Sequence, residues 1–360
     1  PQFYDFHWLP IAIFFHFWLY WAIVTRRTLV GILSVLVLFS IREDIAVGTA
    51  MLGLFLLVTG VRPRAGVALA VCSGAWFVVN KFVIMPWAGQ WWFANLYKDL
   101  IADGEQGYGS IIKTLLINPV YVTGTVATSE KLTYALHMLG PMLFLPVRRW
   151  QLVLLLIPGA FFTLCTTDYA PTVSIAFQYT THWIPYLFAG TVWTLHSLSR
   201  GEGGNVRRWA AIGAMGLSLT SHSYVFGAIL QRSVFVGGFA SIPFERSNEE
   251  KVRYDEMQAI KRLIPLEASV AATDSEVSHL SARMIVYSLR LHHGDADFLV
   301  IHRAGLGFGD TRKSIQGAVD RNPYQVVHDG KNYLVLKRGS ETPATAQALL
   351  KLGITKGTRP

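Results

Sequence analysis

Charge is what this sequence has least of: Asp, Glu, Lys and Arg make up 15% of its 360 residues, against roughly 25% in an ordinary soluble domain. That scarcity argues against a soluble enzyme. With 52% hydrophobic residues and a mean hydropathy of +0.35, an intrinsically disordered chain is excluded as well. Cysteine is equally sparse. Cys72 and Cys165 both fall inside apolar runs, which leaves no disulfide framework and no metal-type spacing. The familiar catalytic signatures G-x-S-x-G, H-E-x-x-H and C-x-x-C are missing. The glycine-rich run 305–310 lacks both the G-x-G-x-x-G spacing and a P-loop Lys-Ser/Thr, so it reads as a loop before a helix.

What charge there is sits unevenly. Residues 1–240 hold 24 charged side chains and residues 241–360 hold 31, so two solvents are implied. Eight apolar runs recur through the first part, at 8–25, 28–41, 45–61, 65–87, 131–147, 150–166, 183–198 and 209–230. Most approach the roughly 20 residues that cross about 30 Å of hydrocarbon. Basic residues cluster after every second run, at Arg26-Arg27, Arg62 with Arg64, Arg148-Arg149, and Arg200 with Arg207-Arg208. Placing all four clusters in the cytoplasm satisfies the positive-inside rule and accounts for the net charge of +9 without nucleic acid. The loops 88–130 and 168–182, and everything after about residue 231, then lie outside. Beginning at Pro1 without an initiator methionine, the chain reads as the C-terminal part of a longer protein.

The expected fold is therefore a polytopic α-helical membrane domain over 1–240, a small extracytoplasmic α/β domain over 241–340 and a flexible tail over 341–360. Within the second domain, Ser247-Asn248-Glu249-Glu250 reads as a helix start. Residues 268–273, 284–289 and 297–302 read as strands, and His328-Asp329-Gly330-Lys331 as the turn of a hairpin.

Arg42-Glu43-Asp44 interrupts 34 residues between Arg27 and Arg62. A single helix of that length would run about 50 Å, so the stretch reads as a hairpin of two short helices whose turn lies below the outer surface. Charges at that depth cost free energy unless paired or hydrated, which makes them functional candidates. Adjacent carboxylates suit a divalent cation or general-base work, and an arginine beside them suits neutralisation or a phosphate. On the same outer face lie Asp5 with His7, Asp168, and Gln178-Tyr179 with His182. All these polar groups converge on one face under a topology set by arginines alone. Such a face suits an enzyme whose substrate keeps a lipid in the bilayer and a polar head outside.

Asp5-Phe6-His7 before a span, Arg42-Glu43-Asp44-Ile45-Ala46 with Gly48 and Gly53, and Gln178-Tyr179 with His182 and Pro185 together resemble a prokaryotic family, domain of unknown function 2079, predicted membrane proteins. That family looks related to the GT-C class of integral-membrane glycosyltransferases. The resemblance implies transfer of a sugar from a polyprenyl-phosphate carrier to an acceptor outside a prokaryotic plasma membrane, often with Mg or Mn. Glu43, Asp44, Asp5 and His7 would carry catalysis, Glu43 and Asp44 would hold the metal, and Arg42, Gln178, Tyr179, His182 and Asp168 would bind substrate. It also implies that the principal catalytic carboxylate of the class precedes Pro1. Two other readings stay open: a transporter or flippase of a lipid-linked or anionic solute, and a non-catalytic assembly protein.

Overall fold

In the computed structural model, the described residues are 7–88, 93–102, 105, 107–227, 230, 233–237, 240–307 and 310–354. Contacts divide the chain into two compact units, Pro1–Phe244 and Glu245–Pro360.

The first unit is helical. Helices α1 (Ile11–Thr25), α2 (Thr28–Ile41) and α3 (Ile45–Val58) precede α4 (Pro63–Val79), which continues through a π-helical turn, Asn80–Ile84, into Met85–Ala88. Leu, Ile, Val and Phe dominate these segments, and the arginine pairs fall at their junctions. Arg26 and Arg62 adopt left-handed φ values of 62° and 57° there. Arg62 also donates from Nη2 to the Val24 carbonyl at 3.4 Å, which puts the first two basic clusters at one end of the bundle. At 14 residues each, α2 and α3 extend only about 21 Å. Each is thus shorter than the roughly 30 Å thickness of a hydrocarbon core.

Helices α3 and α4 cross closely. A Cβ on Gly53 would meet the Ala70 backbone nitrogen at 2.5 Å and the Gly66 carbonyl at 2.7 Å, so only glycine permits this approach. A core of Leu38, Leu52, Phe55, Leu155, Trp183 and Tyr186 joins α2 and α3 to the helices Trp150–Gly159 and Ile184–Leu198.

Among the described residues one helix, Pro63–Trp87, is long and apolar enough to cross a membrane, and Ile11–Thr25, Thr28–Ile41, Ile45–Val58 and Trp150–Leu164 are shorter apolar helices. The structure thus gives one clear span and four shorter ones where eight are expected. The run at 131–147 departs most: its helix, Ser129–Leu139, stops before Gly140-Pro141. Leu143 and Phe144 then take left-handed φ values of 51° and 55°, and short 3-10 turns carry the chain to Arg148. Proline removes a backbone donor and cannot continue the helix. The loop 88–130 holds a 3-10 segment, Phe93–Leu100, and the helices Gly107–Ile117 and Pro119–Val126. A two-stranded antiparallel ribbon, β1 (Val234–Gly237) with β2 (Ala240–Pro243), ends the unit.

The second unit opens with the helix Asn248–Leu263, started by a full capping box between Ser247 and Glu250. Strands β3 (Val270–Ala272), β4 (Val286–Ser288), β5 (Phe298–His302), β6 (Tyr324–Asp329) and β7 (Tyr333–Arg338) form one sheet in the order β4-β3-β5-β7-β6. The β4-β3-β5 pairings are parallel, and β7 pairs antiparallel with β5 and β6. A flexible tail is expected from residue 341, but the helix Pro343–Lys351 follows Thr342 and buries Ala348 and Leu349 in the core with Leu352 and Ile354. Its apolar residues recur at helical spacing, and burial holds a short helix that propensity alone would not.

Candidate functional site

The turn between α2 and α3 leaves Ile41 with Arg42 in extended conformation and Asp44 at the cap of α3. Asp44 is 4% exposed. Its carboxylate pairs with the Arg42 guanidinium, and its Oδ2 lies 3.4 Å from His182 Nε2, within ion-pair reach but outside hydrogen-bond geometry. Glu43 points to a different partner: its Oε1 is 3.6 Å from the Nζ of buried Lys81. The Arg42 guanidinium sits 5.9 Å from the centroid of the Tyr179 ring, and the His182 ring packs tilted against Phe162 with centroids 4.8 Å apart.

All of these groups except His182 line a cavity of about 340 Å³. Arg42, Glu43, Asp44 and Lys81 line it together with Tyr179, Thr172 and the apolar Val47, Phe77, Phe82, Ile112, Ile157, Phe161 and Phe162. One pocket thus joins ionic groups to a long apolar wall. Among the described residues, Arg42 Nε, Asp44 Oδ1, Gln178 Oε1 and His182 Nε2 are all buried without a hydrogen-bond partner. Buried polar atoms are ordinarily satisfied, and these four lie on the two segments joined by the contacts of Asp44 with Arg42 and His182.

Glycines and a tyrosine set the geometry behind the site. A Cβ on Gly48 would lie 1.8 Å from the Tyr186 hydroxyl, so glycine there admits Tyr186 against α3. Tyr186 in turn bonds His16 Nε2 at 2.9 Å, and His16 Nδ1 meets the Ala12 carbonyl at 2.7 Å. His16 therefore packs as a satisfied core histidine. At Gly159 a Cβ would meet the Trp183 ring at 2.6 Å, which seats the residue following His182.

The sequence-derived candidates divide. Arg42, Glu43, Asp44, Tyr179 and His182 come together, and Gln178 is buried in the same 3-10 helix, Gln178–His182. Asp168 is not itself a lining residue: half exposed, its carboxylate pairs with Lys98 Nζ at 2.5 Å, while its backbone nitrogen donates to the carbonyl of Leu96, which lines the cavity, at 3.4 Å. His7 is not among the lining residues, and Asp5 lies outside the described residues. Lys81 is the residue that sequence reasoning missed. Its signal was present, a single charge inside an apolar run, but its use depends on the π turn at Asn80–Ile84 that redirects α4.

The two carboxylates expected to hold a divalent metal, Glu43 and Asp44, both have cationic partners. Each carboxylate is already compensated, Glu43 by Lys81 and Asp44 by Arg42 and His182. No three His, Cys, Asp or Glu side chains converge among the described residues.

Over residues 1–302 the chain matches the family described as predicted membrane protein, DUF2079. It belongs to that family. A search of curated proteins finds no match. The family description fits the outward-facing apolar helices, and the matched residues include every group of the cavity.

Proposed function

We propose that this membrane protein is a GT-C-like glycosyltransferase, moving a sugar from a polyprenyl-phosphate donor to an acceptor on the extracytoplasmic side of a prokaryotic plasma membrane. The single observation that carries the reading is the cavity that Arg42, Lys81, Glu43 and Asp44 line together with Phe77, Phe82, Phe161 and Phe162. An amphiphile with an anionic head matches that lining: the lipid follows the aromatic wall and the phosphate meets the two cations. In the transfer, a bond forms between the acceptor oxygen and the sugar's anomeric carbon as the bond from that carbon to the phosphate oxygen breaks. The electron pair leaves on the polyprenyl phosphate, where Arg42 and Lys81 compensate it. Glu43 takes the acceptor proton, being the less buried carboxylate and held by one cation at 3.6 Å. Asp44, locked between Arg42 and His182, positions Arg42.

Glu43→Gln in protein reconstituted in liposomes is expected to lower transfer from a polyprenyl-phosphate sugar by about 10²-fold or more, the usual scale of a lost general base, with donor binding retained. Arg42→Ala with Lys81→Ala is expected to abolish donor binding. Unchanged transfer in Glu43→Gln overturns the assignment.

A second reading, transport of the same lipid-linked anion, draws on the π-helical segments Asn80–Ile84 and Ala160–Leu164, both of which contribute cavity walls. Wide turns of this kind recur at functional sites where helices deform. Movement of the donor between leaflets, with no product formed, would select this reading over the enzyme.

A further inference from the structure

The C-terminal unit holds a cavity of its own, about 230 Å³, beside the sheet. Strands β3 and β5 run parallel and adjacent, yet the chain visits β4 on the far side of β3 before returning to β5. Open α/β sheets bind ligands at such a reversal, outside the carboxyl ends of the strands. Thr273 follows β3 there and His302 ends β5. Between them Glu276 is buried, accepting from Thr273 Oγ1 at 2.6 Å, Ser275 Oγ at 2.8 Å and Tyr333 Oη at 3.3 Å, with His302 Nδ1 at 3.7 Å.

Charge on the cavity wall is unequal in availability. Both acids are engaged within the fold: Glu276 by the hydroxyls just named, and Glu250 by the Ser247 backbone nitrogen at 2.8 Å in the capping box. Arg246 and Arg253 also line the cavity. Neither has a carboxylate within ion-pair distance among the described residues, and Arg246 is instead held over the Tyr254 ring at 4.2 Å. His279, its ring 6.4 Å from that of Tyr254, completes the rim.

We propose that this cavity is a second ligand site, taking the phosphate group of a small phosphorylated polyol or headgroup between Arg246 and Arg253. Two guanidiniums match a phosphate's oxygens and charge, and their acidic neighbour Glu250 is held back by the Ser247 backbone nitrogen. The cation–π contact holds Arg246 in place before the ligand arrives. At 230 Å³ the cavity falls below the roughly 300–1,000 Å³ of clefts for drug-sized ligands, so one phosphorylated headgroup is the scale it fits. Glu276 forms a fixed polar floor suited to a ligand hydroxyl. The site is separate in residues from the cavity around Arg42, and its test does not require any transfer activity.

Calorimetric titration of the full chain in detergent with inorganic phosphate and with glycerol 1-phosphate is the direct measurement. Saturable binding is expected, weakened at least about tenfold by Arg246→Ala with Arg253→Ala and left unchanged by Lys313→Ala, an exposed cation outside the cavity lining. Both arginines are exposed, so these variants are expected to fold. Dihexanoyl phosphatidylglycerol provides the lipid arm: binding of it supports a lipid headgroup as the source, and binding of glycerol 1-phosphate alone supports a free phosphate ester. The proposal is overturned if none of the probes binds at millimolar concentration, if the double variant binds as the native chain does, or if chloride at matched ionic strength displaces phosphate equally well.

Discussion

In the N-terminal unit Trp21, Leu36 and Val71 stand 51%, 58% and 63% exposed, whereas in the C-terminal unit Val270, Leu299 and Leu336 are wholly covered. The charged residues run the opposite way. Asp44 and Lys81 are buried beside aromatic rings in the first unit, while most charges of the second unit are exposed or half-buried. Apolar surface is removed from water in both cases, by lipid around the first unit and by a folded sheet in the second. Exposure therefore means different things in the two halves of one chain, and each meaning can be tested.

The largest effect is expected in the covered sheet. Leu336→Ala should destabilise the C-terminal unit by about 2–5 kcal/mol, the range for a buried leucine truncated to alanine, read by amide hydrogen exchange across β5 and β7. Leu36→Asp should cost about 2.5–3.5 kcal/mol of membrane insertion if that exposed face meets lipid. The matching change in the other unit, Met284→Glu at a residue 98% exposed, should stay within about 0.5 kcal/mol. Equal tolerance of both substitutions, measured by membrane-integrated yield and thermal melting, would break the comparison.

Gly48→Ala should cost about 1–3 kcal/mol, because the added methyl must displace the Tyr186 hydroxyl from His16. In a Tyr186→Phe background the same change should cost less, and a double-mutant cycle reads the difference. The smallest effect is acid sensitivity. Burial pushes the Glu256 carboxyl up, but His328 Nε2 at 3.0 Å and three donors from Asn332 and Tyr333 outweigh it and hold the group below its ordinary 4.5. A depressed native value gives stabilisation that is complete above the unfolded pKa and lost as pH falls through the native one. The melting temperature of this unit should therefore decline below about pH 4.5, and Glu256→Gln should flatten that decline.

Much of the site was legible before any coordinates. Arg42-Glu43-Asp44 stood out because three charges interrupt two apolar runs, and Gln178, Tyr179 and His182 because polar residues precede Trp183 in the same way. Lys81 was not, since a lone lysine in an apolar run gives no hint of which carboxylate it meets. Asp168 looked equivalent to the others in sequence, yet its carboxylate pairs with Lys98 and does not line the cavity. The hairpin at 328–331 was legible from its turn residues, and the helix Pro343–Lys351 was not, because its stability comes from burial against strands distant in sequence.

By itself the sequence determined that the first two thirds of this protein are apolar enough for a membrane protein, where several helices begin and end, and which short segments carry unusual charge. Those properties follow from local composition and period, and they need no knowledge of neighbours. Tertiary structure alone decided that Glu43 pairs with Lys81, that Asp44 is held between Arg42 and His182, and that their cavity extends along Phe77 and Phe161. Pairing across tens of residues depends on where a π turn, a glycine at position 48 and two broken helices aim their side chains, and no window of sequence contains that information.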